Sequence, residues 1–293
     1  MSVRFGVFVP QGWKMDLAEI ADPVDQYEAM TAVAKLADAG PWDSIWLYDH
    51  FHTIPQPTMN SVFECWTATA TLARDTRRVN IGQMVVCIGY RQPSLYAKIA
   101  STVDVASHGR LYAGLGAGWY EHEWKAYGYR WTDVPERMAE FREAVEIITR
   151  MWTEDKPTFQ GKHYTIDQPI NEPKGVREPH PSFWLGGGGE KVTLKLVAQY
   201  ADACNIGAGD PDVIRHKLAV LREHCDRLGR DYDRIIKSTN FDLDLKHSSA
   251  ETIGLVEKAI GAGANYVNFY VPRVAYEPEP MLRLAEEVVP QFV

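Results

Sequence analysis

Cysteine is sparse in this chain, and each one stands alone. Cys65, Cys87, Cys204 and Cys225 are the four cysteines in 293 residues, with no C-x-x-C and no close pair. That excludes a disulfide scaffold and a thiolate zinc site, and it fits a reducing compartment. An apolar run of the roughly eighteen residues that cross a bilayer is also missing, so no membrane partner is expected. No cluster of Lys and Arg makes a phosphate-tracking stripe, and a formal charge of −8 with a pI near 5.6 argues against nucleic-acid binding. No charged leader precedes the strand-like stretch Val3–Val9, so the expected location is the cytoplasm. Aromatic residues, by contrast, are plentiful: nine Trp and fourteen Tyr in a chain that is 45% hydrophobic and 24% charged. Large-residue core packing and an aromatic-lined pocket both account for that.

Short apolar runs alternate with helical periodicity along the whole chain. The strand candidates are Val3–Val9, Ser44–Tyr48, Asn80–Val86, Leu111–Leu115, Phe183–Leu185, Ala203–Ile206, Ile235–Leu245 and Asn265–Val271. Most are apolar throughout, as strands covered on both faces are; only the end of the seventh alternates, at Phe241–Leu245. Between them, Met138, Phe141, Val145, Ile148 and Trp152 recur at helical spacing within Pro135–Trp152, and Ile214, Leu218, Leu221, Cys225 and Leu228 do so within Pro211–Leu228. Proline opens both helices and Gly229 closes the second. Gly40 and Pro41 close the first helix, Gly261 and Gly263 the seventh, and Met281–Val289 supplies the last.

Eight strand–helix units predict a (β/α)8 TIM barrel spanning 1–293 as a single domain. A doubly wound open sheet would want a phosphate-binding turn after the first strand, and Val9-Pro-Gln-Gly-Trp13 lacks the G-x-G-x-x-G spacing. The stretch Thr153–Pro181, rich in Pro, Gly and Asn, reads as an insertion (153–182) after the fourth helix.

In such a barrel, chemistry sits where strands end. Strand two ends in Tyr48-Asp-His-Phe-His52, which offers His50 and His52. An H-x-H pair on a barrel strand resembles the metallo-amidohydrolases, but the ends of strands five, six and eight offer no further ligands, so no metal is expected. Strand four runs into Gly114-Leu-Gly-Ala-Gly118, whose spaced glycines let another surface approach the backbone, followed by Glu121, His122 and Glu123, which suit a helix start. Strand five runs into Gly186–Gly189 directly before a helix, an arrangement that exposes amide donors to an anion; Lys191 and Lys195 stand close by in sequence. Strand three, Gln83 to Pro93, reads as a plain strand entering a proline-started helix.

Taken together these segments resemble the bacterial luciferase-like superfamily of flavin and deazaflavin oxidoreductases. The resemblance covers nearly the whole chain. Its most specific pieces are Trp46–Phe51, Gly109–Gly128 and Trp184–Gly189. Within the superfamily, Asp49-His50-Phe51 resembles the branch that uses coenzyme F420. That resemblance implies a hydride transfer at the deazaflavin ring, with Asp49 and His50 beside it and His50 as the proton carrier. It also implies a non-prolyl cis peptide at Met84–Val85 bracing the ring, Gly116 and Gly118 passing close to it, and Gly187, Gly188 and Gly189 taking the cofactor phosphate. Cys87, Trp119 and Asn205 complete the implied cofactor-binding set. Trp13, Tyr90, Trp119 and Tyr120 are the expected substrate-pocket residues, and a homodimer acting on a small molecule is the family expectation. Members that oxidise sugar phosphates carry Glu directly after the Gly-x-Gly pair and Trp shortly after the Asp-His, where this chain has Trp119 and Ile54. A different, more apolar substrate is therefore expected. The alternatives are a two-component FMN monooxygenase and, from another class, a non-catalytic barrel subunit without a cofactor.

Overall fold

The structure is a computed structural model that describes residues 3–207 and 209–293. Its strands are β1 (Arg4–Phe8), β2 (Ser44–Leu47), β3 (Asn80–Gln83), β4 (Val86–Cys87), β5 (Leu111–Gly116), β6 (Thr158–Gln160), β7 (Thr165–Asp167), β8 (Ser182–Gly186), β9 (Ala203–Asn205), β10 (Ile236–Asp242) and β11 (Tyr266–Tyr270). The main sheet runs β3-β2-β1-β11-β10-β9-β8-β5, and β5 returns to pair with β3, Ile81 opposite Leu111. Every pairing in this sheet is parallel, so it closes as a (β/α)8 barrel.

All eight expected strands are present. The third differs in one respect: it stops at Gln83 and resumes as β4, and the Met84–Val85 bond between the two pieces is cis, as the resemblance implies. The seventh, β10, ends at Asp242 rather than Leu245, where the alternating stretch leaves the barrel.

The helices are α1 (Pro23–Ala39), α2 (Cys65–Asp75), α3 (Pro93–Ala106), α4 (Glu121–Ala126), α5 (Val134–Thr153), α6 (Thr193–Tyr200), α7 (Pro211–Leu228), α8 (Ser249–Gly261) and α9 (Glu279–Arg283). Their ends follow local chemistry. Asp22, Glu64, Asp133 and Asp210 accept from first-turn amides, Ser248 and Glu251 form a reciprocal capping box, and Gly229 ends α7 at φ 66°. The last helix is not the regular Met281–Val289 expected: α9 begins at Glu279 and passes into a π turn over Leu284–Val288, which keeps Leu284 and Val288 buried. The insertion holds one antiparallel hairpin, β6–β7, whose turn donates the amides of Lys162, His163 and Tyr164 to Glu143 on α5.

Two large apolar clusters lie between strands and helices, and a third fills the barrel itself with Phe8, Trp46, Tyr112, Trp184 and Tyr266. The N-terminal end of the barrel is plugged: Tyr112 and Tyr266 hydroxyls both donate to Asp43, and Ser44 meets Tyr266 at 2.7 Å. The opening is at the C-terminal end. Among the described residues no helix is long and apolar enough to cross a membrane.

Candidate active site

A cleft of about 410 Å³ opens over the C-terminal ends of β2, β4, β5 and β8. Its wall brings together Asp49, His50, Met84, Val85, Cys87, Gly116, Gly118, Trp119, Gly187, Gly189 and Asn205 of the expected cofactor set, and Trp13, Tyr90 and Tyr120 of the expected substrate set. Gly188 of the same set is not on the wall.

The spaced glycines of β5 are there for the neighbouring strand. A Cβ on Gly114 would overlap the Gln83 carbonyl, one on Gly116 would stand 2.6 Å from Val85 Cγ2, and one on Gly118 would meet Cys87 Sγ. Residues 83, 85 and 87 thus press on 114, 116 and 118 in turn, because the interrupted third strand crosses the fourth closely. The run after β8 is built differently. Gly186 gives room to Val85, at 2.7 Å from a Cβ, and Gly187 sits at φ +115°, where side chains rarely go. Gly189 faces Thr193 Oγ1 at 2.9 Å, whereas a Cβ on Gly188 would make only ordinary contact with Lys217 methylenes at 3.4 Å. The helix that follows, α6, starts with no side-chain cap. The Gly189 carbonyl takes the Leu194 amide at 2.9 Å, and the rest of the first turn has the positive end of the helix dipole behind it.

His50 is set by a residue that sequence reasoning treated as decoration. Its Nδ1 lies 2.8 Å from Glu123 Oε2, and its ring is stacked on Trp13 at 4.2 Å and 3°. Glu123 is fully buried on α4 and accepts four hydrogen bonds: from His50, from the amides of Phe51 and His52 at 2.9 and 2.8 Å, and from the Tyr90 hydroxyl at 2.8 Å. Burial pushes its carboxyl up, but these donors, His50 first, outweigh burial and hold it below the ordinary carboxylate range. An ionised Glu123 can only accept, so His50 Nδ1 carries the proton and Nε2 is left to face the cleft. Tyr90, pushed up by burial and by its acidic neighbours Cys87 and Glu123, stays a neutral donor.

Asp49, which the resemblance sets beside the ring, is on the cleft wall, and its carboxylate is also engaged by the chain. Arg91 grips it with two bonds of 2.6 and 2.9 Å, and the Cys87 amide donates to the same carboxylate at 2.9 Å. Arg91 also reaches Glu64, at 2.6 Å. Burial opposes the guanidinium charge, yet Asp49 holds its pKa above the ordinary value. Asp49 therefore clamps the loop after β2 to the loop after β4, and Glu123 has the orienting role. His52 turns away from His50: its Nδ1 is buried without a partner, and its ring lies 5.2 Å from that of His122. Among the described residues the group with metal-ligand spacing is Glu136, Glu140 and His163, and there Arg130 pairs with both carboxylates.

On the β1, β10 and β11 side of the mouth the chemistry changes. Lys14 pairs with Asp242 at 2.8 Å and lies 3.8 Å over the Tyr270 ring. Asp16 is buried and accepts from the Gly12 amide at 2.6 Å, and burial pushes its carboxyl up to about 6 despite that bond and the nearby Lys14. The loop that carries both is stitched to the loop after β2 through Gln11, which accepts from the Tyr48 amide and donates to the Phe63 carbonyl.

A closed parallel barrel with an imidazole–carboxylate pair at its mouth, glycine-lined strand ends and a helix N-terminus facing the same cleft has the build of an enzyme that works on a bound small molecule. The chain belongs to the luciferase-like monooxygenase family, whose model matches residues 3–276. It is similar to an F420-dependent glucose-6-phosphate dehydrogenase of Intrasporangium calvum, 28% identical over 94% of this chain and 81% of that protein. A second protein of that name, from Segniliparus rotundus, is 30% identical over 69% of this chain and 60% of its own length. In three dimensions the chain matches an F420-dependent secondary alcohol dehydrogenase, solved with an F420–acetone adduct, with a TM-score of 0.79 over 100% of this chain and 98% of that one. At 20% identity that likeness establishes the fold.

Proposed function

We propose that the protein is an F420-dependent oxidoreductase that passes a hydride between the deazaflavin and an organic small molecule. The observation that carries the proposal is His50, presented at the cleft with Nδ1 fixed by Glu123 and Nε2 free of protein partners among the described residues. The F420-dependent relatives support the choice of cofactor.

The residues present fit such a group. Gly187 has open space where a Cβ would stand, with nothing nearer than Thr193 Cγ2 at 3.8 Å, and Thr193, at the start of α6 where no side chain caps the helix, lines the same cleft. Gly187, Gly189 and α6 would hold the phosphate. Val85 with Met84, Gly116, Gly118 and Cys87 would back the ring, and Trp119 and Asn205 would bound it. When bound, the deazaflavin supplies a two-electron hydride carrier. The chain's part is to orient, to exclude water and to move a proton. With Nδ1 held by Glu123, His50 Nε2 can give or take the proton that accompanies the hydride. Asp49 acts through Arg91, keeping the two strand-end loops together. A cytoplasmic homodimer belongs to the same proposal, and four buried free cysteines suit a reducing compartment.

Two measurements test it. F420 should bind much more tightly than FMN, and turnover should proceed without oxygen uptake. Micromolar FMN binding with F420 no tighter, together with oxygen-consuming turnover, would replace this reading with the monooxygenase one. His50→Ala should lower kcat by about a hundred- to ten-thousand-fold while F420 affinity changes far less, and His50→Asn should be nearly as slow. Full kcat in His50→Asn would move the proton carrier to His52, Glu121 or His122.

A further inference from the structure

We infer that the cleft takes an uncharged, flat, largely apolar substrate laid on a shelf formed by Trp119 and Tyr120, and turns phosphorylated molecules away. The inference rests on the cleft being the active site proposed above. Its first ground is the shelf. Trp119 is 61% exposed, although the other tryptophans of the chain are buried or half-buried. Its ring lies flat on Tyr120, with centroids 5.2 Å apart and 17° between planes, and the Tyr120 hydroxyl is tied to the Thr53 carbonyl at 3.2 Å. An aromatic pair held rigid with one face left to water can gain both buried apolar area and stacking when a flat ligand covers it. The shelf stands steeply to His50, at 67° and 62° for its two rings, and Trp13 covers the imidazole face, so the edge of His50 addresses the cleft.

The second ground is charge. Among the described residues on the wall there is no Lys or Arg. Three cations close behind it are matched, Arg91 to Asp49 and Glu64, Lys14 to Asp242, and Lys217 to Glu190 at 2.5 Å, while Lys191 and Lys195 line a separate depression with Arg142 and Glu146. The buried carboxylate of Glu123 stands against His50 at 2.8 Å. A phosphate at the substrate position would lose water and meet no free countercharge, a cost that a neutral ring avoids. The substrate named for the relatives carries such a phosphate.

A matched pair of probes, 2-naphthol and 2-naphthyl phosphate, tests the inference by calorimetric titration of the protein saturated with F420. We expect 2-naphthol to bind and 2-naphthyl phosphate to bind at least about tenfold more weakly. Trp119→Ala should weaken 2-naphthol binding about tenfold, and Trp119→Phe should restore most of it. No binding of 2-naphthol, equal or tighter binding of its phosphate, or an unchanged affinity in Trp119→Ala overturns the inference. The same titrations on the protein without F420, with F420 binding measured separately, keep the two proposals apart. Discrimination between the probes without F420 binding sinks the cofactor reading and leaves the shelf. F420 binding without discrimination sinks the shelf alone.

Discussion

Two buried carboxylates sit on opposite sides of the barrel mouth and have opposite acidities. Glu123, on the side of β2 and β5, is held below the ordinary range; Asp16, on the side of β1 and β11, is pushed up to about 6. Burial raises both. The difference is in the donors. Glu123 accepts two amides, a phenol and an imidazole, whereas Asp16 has the Gly12 amide as its short contact and a Tyr270 hydroxyl beside it, with Lys14 committed to Asp242. Depth in the protein does not decide whether a carboxyl keeps its proton; the count of donors that survive burial does.

The largest effect that would break this contrast is expected from Glu123→Ala. It strands the amides of Phe51 and His52 and the Tyr90 hydroxyl, and each buried polar group left unmatched costs about 1–3 kcal/mol. A loss of about 3 kcal/mol or more in denaturant unfolding is expected. A loss below about 1 kcal/mol would mean that water replaces the carboxylate. Glu123→Gln is the sharper variant. Its amide can donate to His50 Nδ1, which forces the proton onto Nε2 and reverses the polarity of the atom facing the cleft. Turnover should fall about a hundredfold with little change in KM, and nitrogen-15 shifts of His50 should show the other tautomer. Wild-type kcat in this variant would end the orienting role of Glu123.

The smaller effect lies across the mouth. Below about pH 4, folded and unfolded chains both hold the Asp16 proton. As pH rises from the ordinary 3.8 to about 6, the unfolded chain releases that proton first, so the folded state loses relative stability. Above about 6 the deficit is constant, at roughly 3 kcal/mol as an upper figure. Asp16→Asn keeps an oxygen for the Gly12 amide and removes the deficit. It should therefore unfold like wild type near pH 4 and be more stable by about 1–3 kcal/mol at pH 8. A variant less stable than wild type at pH 8 would show that the Asp16 charge is matched by Lys14 after all. Glu123 has the opposite linkage: its stabilisation is complete above its ordinary pKa of 4.5 and is lost as pH falls through the lowered value.

The barrel was legible because a parallel strand covered on both faces must be apolar along its length, and Ile45–Leu47 or Leu111–Leu115 have no other economical reading. The cis bond at Met84–Val85 had no signal in composition or spacing and entered only through resemblance. Glu123 was missed because Glu-His-Glu at a helix start is what a solvated first turn looks like, and Glu121 and His122 are indeed exposed. The sign that sets Glu123 apart is its neighbour Trp124: the pair goes into the core together, and a carboxylate on a buried face needs donors. Arg91 was passed over for a similar reason, since nothing local distinguishes a clamp from a surface arginine before the strand ends are placed around Asp49. The glycines were noticed, but spacing alone did not show that the neighbouring strand also presses on Gly114, Gly116 and Gly118.

The uneven exposure of the tryptophans has a spectroscopic consequence. Trp42, Trp46, Trp124, Trp152 and Trp184 are sealed in apolar surroundings, whereas Trp119 stands in water at the lip of the cleft. Native emission should therefore be the sum of a blue, quencher-resistant majority and a red component that dissolved iodide removes first. That red component belongs chiefly to one side chain, so a filled cleft can be followed by the iodide-accessible fraction alone, with no label attached and no turnover required.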